Sequence, residues 1–80
     1  MDPNLKTIIR AAVDSVEKGR IKTKTQAVVA ATNTAVDYLE KVYGDYSYGI
    51  PPKMKQELDE FTPALRTALQ IKEDLDERIR

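Results

Sequence analysis

Apolar residues recur at three- and four-residue steps in three separate stretches of this 80-residue chain, and nowhere do they alternate with polar residues as a half-buried strand requires. In the first stretch Leu5, Ile8, Ile9, Ala12, Val13 and Val16 line one helical face. Asp2 can cap its start and Pro3 suits the first helical position, while Gly19 can adopt the left-handed conformation that ends a helix. The spacing predicts a helix over residues 3–18.

A second stripe joins Val28, Thr32, Ala35, Leu39 and Val42, with Val29, Val36 and Tyr43 beside it. Thr23 or Thr25 caps it and Gly44 stops it, giving a helix over 24–43. Ala27, Ala30, Ala31 and Ala35 keep one side thin, so a neighbouring helix can approach closely, and this helix is expected to be the central, most buried one. Residues 45–52, with Gly49 and the pair Pro51-Pro52, read as a loop.

The last stretch carries Met54, Leu58, Phe61, Leu65, Ala68, Lys72, Leu75 and Ile79, a heptad seam. One helix from 52 to 80 would be about 42 Å long, against about 30 Å for the second helix. Pro63 lacks the donor an unbroken helix needs, and Thr62 can cap a new one. Helices are therefore expected over 52–61 and 63–79. The whole chain, 1–80, reads as a single all-α domain: a small antiparallel bundle of three helices, the third kinked or split at Thr62-Pro63 into a fourth.

The chain has no cysteine and no histidine, which excludes disulfides, zinc sites built on those residues, and nucleophilic catalysis by cysteine or a serine–histidine pair. Carboxylates at Glu57, Asp59, Glu60 and through Glu73-Asp74-Leu75-Asp76-Glu77 surround the heptad core positions and read as a solvated face. Neither a calcium loop nor a glycine-rich phosphate loop occurs. The expectation is a protein that is not an enzyme, with no cofactor and no metal. Formal net charge is zero, so the chain as a whole is not a polycation built for nucleic acid. The longest apolar run, Ala27–Ala31, is far too short to span a membrane, and Met1-Asp2-Pro3-Asn4 does not begin a signal peptide; a cytoplasmic protein is expected.

What remains is binding. Tyr38, Tyr43, Tyr46 and Tyr48 fall within eleven residues, and Ile50-Pro51-Pro52 stiffens the loop that carries the last two. Tyrosine gives large contact area at low entropic cost. The expected function is a protein-binding module (adaptor, inhibitor or assembly factor) with a protein partner contacting Tyr43, Tyr46, Tyr48, Ile50 and Lys53. The alternative is a nucleic-acid-associated regulator, or an anion site, using Lys18, Arg20, Lys22 and Lys24, four cations in seven residues with no acid among them. Leu75 and Ile79 offer a stripe for a homodimer through the C-terminal helix.

Two family resemblances bear on these alternatives. Thr25-Gln26-Ala27-Val28-Val29-Ala30 resembles the start of a helix-turn-helix motif, but the stripe continues through Ala31–Leu39 where that motif needs its turn. The order of helix, tyrosine-rich loop, Ile50-Pro51 and helix is similar to that of bacteriocin immunity proteins, which would imply a small immunity or antitoxin function.

Overall fold

A computed structural model describes residues 1–44, 49 and 51–71. These form three helices, α1 (Pro3–Glu17), α2 (Lys24–Tyr43) and α3 (Pro52–Ala68), and no strand occurs among the described residues. The Asn4 side-chain amide at the start of α1 donates to the Tyr38 hydroxyl near the end of α2, at 2.9 Å. At the other end, the Lys24 ammonium at the start of α2 donates to the Gln70 carbonyl just beyond α3, at 3.4 Å. Consecutive helices are therefore antiparallel, and each packs on both others, α1 with α2 most extensively.

The helix starts follow from their sequences. Asp2 Oδ1 accepts the Asn4 N–H at 2.7 Å ahead of Pro3, and Thr23 Oγ1 accepts the Gln26 N–H at 3.1 Å. Each side chain satisfies a donor the helix leaves unpaired. Helix α1 ends in a Schellman motif: Gly19, at φ +76°, donates to the Val16 carbonyl at 3.1 Å, and the Arg20 N–H reaches the Ser15 carbonyl at 2.9 Å.

The end of α3 uses the same motif without a glycine. Gln70 stands at φ +59°, its N–H donates to the Thr67 carbonyl at 3.0 Å, and the Ile71 N–H donates to Arg66 at 2.9 Å. A left-handed conformation costs a side-chain-bearing residue about 1–2 kcal/mol. Leu69, buried, and Ile71, half-buried against the core, offset that cost. The helix expected over 63–79 therefore ends at Ala68; Lys72 to Arg80, including Leu75 and Ile79, lie outside the described residues.

Nor does Pro63 divide the third helix. Helix α3 is continuous from Pro52 to Ala68 with Pro63 inside it, so the expected fourth helix is corrected to one element. Pro63 is exposed, and the Asp59 carbonyl it cannot reach belongs to an exposed residue, so water can serve that group. Phe61 and Leu65, both fully buried, anchor the chain on either side. Their burial outweighs the loss of one hydrogen bond.

The core consists of Leu5, Ile9 and Ala12 from α1, Ala27, Ala31, Ala35 and Leu39 from α2, and Met54, Phe61 and Leu65 from α3, with Leu69. On α2 the inward face joins the alanine side to Ala35 and Leu39 of the predicted stripe, and is rotated away from that stripe's valines. Val29 and Val42 are 54% and 50% exposed, and Val28 and Val36 are half-buried. Close helix approach decides this, since alanines permit backbone proximity that a row of valines would prevent. The valine-bearing flank of α2 faces outward at Val29, so α2 is well packed without being enclosed.

Candidate functional site

Small residues on both α1 and α2 leave a groove between the two helices. Thr7, Ile8, Ala11, Ala12 and Ser15 line it from α1; Ala27, Ala30, Ala31 and Thr34 line it from α2; Ile21 closes one end. Its volume is ≈ 260 Å³, and no α3 residue contributes to it. Ala12, Ala27 and Ala31 form its buried floor, while Ala11 and Ala30 are exposed at its edges. A methyl group at each edge position reaches too little distance to cover the seam.

Both threonine hydroxyls along the groove are already engaged. The Thr7 hydroxyl donates to the Pro3 carbonyl at 3.1 Å and the Thr34 hydroxyl to the Ala30 carbonyl at 2.9 Å, each one turn back on its own helix. The Ser15 carbonyl accepts from Arg20 and Ile21. A small-molecule site usually presents a few convergent polar groups with free capacity. This groove presents methyls and methylenes.

The four cations of the connector have separate fates. Lys18 pairs with Asp14 at 3.3 Å, one turn back on α1. Lys24 reaches the Gln70 carbonyl, where the exposed carbonyls at the end of α3 favour a positive charge. Its position at the start of α2, unfavourable to its own helix, is thus explained by a neighbour. Arg20 and Lys22 are exposed, and their side chains have no hydrogen-bonding or ion-pair partner among the described residues. In sequence they flank Ile21, which lines the groove.

Of the residues expected to bind a protein partner, Tyr43 is half-buried against the core and Lys53 is exposed on the first turn of α3; Tyr46, Tyr48 and Ile50 lie outside the described residues. Tyr38 has a structural position. Its hydroxyl donates to Asp2 Oδ2 at 2.8 Å and accepts from Asn4. Donation from Asn4, the strongest single influence, favours the phenolate; the Asp2 carboxylate and partial desolvation together outweigh it and hold the Tyr38 pKa above its ordinary value.

A smaller hollow of ≈ 140 Å³, between Val13, Val16 and Glu17 on α1 and Ala68, Leu69 and Gln70, is bordered by Lys24. On α3, Glu57 is half-buried and one of its carboxylate oxygens is enclosed with no hydrogen-bond partner. No cluster of three or more metal-ligating side chains occurs among the described residues, and no described helix is long and apolar enough to cross a membrane. The groove went unread in the sequence. The thin side of α2 was legible, but Ala11 gains its meaning only when α1 is laid beside Ala30. No protein-family model, curated protein or solved structure matches this chain.

Proposed function

We propose that this protein is a non-enzymatic protein-binding module whose α1–α2 groove receives one helix of a protein partner. The observation that carries this reading is an uncovered apolar seam between two helices, with the Thr7 and Thr34 hydroxyls bonded to their own backbones. An amphipathic helix lays its apolar face into such a groove without leaving polar groups unpaired. The lining runs from Thr7 to Ser15 on α1, about 12 Å, which matches about two turns of a partner helix. A small-residue floor favours a partner stripe of larger side chains such as leucine or methionine.

The test uses a stapled helical peptide with leucine and alanine on one stripe and glutamine elsewhere. Its binding is followed by amide chemical shifts of the whole chain. Shifts concentrated at Ala11, Ser15, Ala30 and Thr34, abolished by Ala30→Trp in a protein that keeps its fold, are the expected result. Shifts centred on Tyr43 and Lys53, or undiminished binding to Ala30→Trp, would move the binding surface away from the groove.

A further inference from the structure

We infer that residues 72–80 of this same chain seat Leu75 and Ile79 in the α1–α2 groove, so that a partner helix must displace them to bind. This rests on the reading of the groove as a seat for an apolar helix stripe and adds what governs access to it.

Helix α3 ends at Ala68, and Gln70 turns the backbone left-handed at φ +59°. That turn breaks the heptad register, so Leu75 and Ile79 no longer follow Leu65 along the inward face of α3. They are the two apolar residues beyond Ile71, four positions apart. The break falls at the end of the bundle where the groove ends. The Gln70 carbonyl accepts from Lys24, one turn before Ala27 of the groove floor. Ile21, three residues before Lys24, lines the groove and donates its N–H to the carbonyl of Ser15, another lining residue, at 3.2 Å. The four steps from Ile71 to Leu75 span up to about 13–14 Å, more than the about 10–12 Å width of a helix. That length carries Leu75 past the α1–α2 connector to Ile21. Residues four apart on a helix lie about 6 Å apart along its axis, so Ile79 falls within the groove's length of about 12 Å. Charge agrees with this occupant. In α1 and the connector, Lys18 and Asp14 pair, while the side chains of Lys6, Arg10, Arg20 and Lys22 have no partner among the described residues, against the single acid Glu17. This excess is spread along the whole wall and selects no end of it. It favours residues 73–77, which hold Glu73, Asp74, Asp76 and Glu77 and no cation.

The chain has no cysteine, so Arg80→Cys carries a single nitroxide label, and paramagnetic broadening is read at the amides of the full chain. Broadening is expected at Ala11, Ala30 and Thr34, and is expected to vanish when Leu75→Ser and Ile79→Ser are added. Broadening confined to Val13, Val16 and Ala68 around the smaller hollow, or to residues next to Ile71, overturns the inference. In a mixture of labelled copies with isotope-enriched unlabelled ones, the enriched amides are expected to stay sharp. Broadening of their Ala11 and Ala30 would mean that a second copy supplies the segment, which overturns the assignment to the same chain. The stapled leucine–alanine peptide is then titrated into the native chain and into Leu75→Ser with Ile79→Ser. The variant is expected to bind it roughly five- to tenfold more tightly, as when about four-fifths to nine-tenths of native molecules hold the groove filled. Equal binding of both chains at the groove amides overturns self-occupancy and leaves the partner reading intact. Broadening at the groove, with no peptide binding to either chain, supports the seating of residues 72–80 and overturns the partner reading.

Discussion

Asp2 and Tyr38, thirty-six residues apart, share one carboxylate between a helix cap and a tether: Oδ1 accepts the Asn4 N–H at 2.7 Å and Oδ2 accepts the Tyr38 hydroxyl at 2.8 Å. The start of α1 is thereby tied to the last turns of α2. Replacing Asp2 with Ala removes both contacts and should cost about 0.5–2 kcal/mol, the range for a lost N-cap. Tyr38→Phe removes only the tether and should cost less. Hydrogen exchange at residues 4–7 in the two variants separates the contributions: it should rise strongly in the first and modestly in the second.

The same pair gives an alkaline pH dependence. Tyr38 has a raised pKa in the folded protein, so folding favours the neutral phenol. Its contribution is fully present below the unfolded-state value of about 10 and is lost as pH rises through the higher folded value. Urea midpoints measured from about pH 9 upward should fall more steeply in the native chain than in Tyr38→Phe. Parallel curves would show that ionisation of Tyr38 does not couple to folding.

Gln70 holds a left-handed backbone position that glycine occupies without strain. Gln70→Gly should raise stability by roughly 0.5–1 kcal/mol, the relief of strain less the extra freedom glycine gives the unfolded chain. A fall in the thermal midpoint would mean that the turn after α3 is not the one described.

Pro63 lies exposed inside α3 and leaves the Asp59 carbonyl without its helical donor. Pro63→Ala should restore that bond and stabilise the protein by about 2 kcal/mol, proline's helical penalty less its stiffening of the unfolded chain. An unchanged urea midpoint would show that α3 already relaxes around the proline.

Ala31 is 5% exposed in the floor between α1 and α2. Ala31→Leu should overpack that interface and cost roughly 1–3 kcal/mol. Val29→Ala, at a position 54% exposed, should change stability little. Opposite results for the two variants would restore the valine stripe as the inward face.

Local chemistry, readable along the chain, determined the all-helical class, the cap at Asp2, a threonine cap for α2 at one of two positions, the stops at Gly19 and Gly44, and the limits of α2. Each depends on residues within a few positions of one another, so spacing and residue type suffice. The tertiary structure decided which face of α2 turns inward, because alanine and valine flanks are both apolar and only the approach of α1 and α3 selects between them. It decided that α3 passes through Pro63 and stops before Lys72: burial of Phe61, Leu65 and Leu69 outweighs a missing donor, and a glutamine takes the place of the glycine that would have marked the end. The groove belongs to the same class. Ala11 and Ala30 become neighbours, and Lys24 finds Gln70, only through contacts between helices that no local spacing encodes.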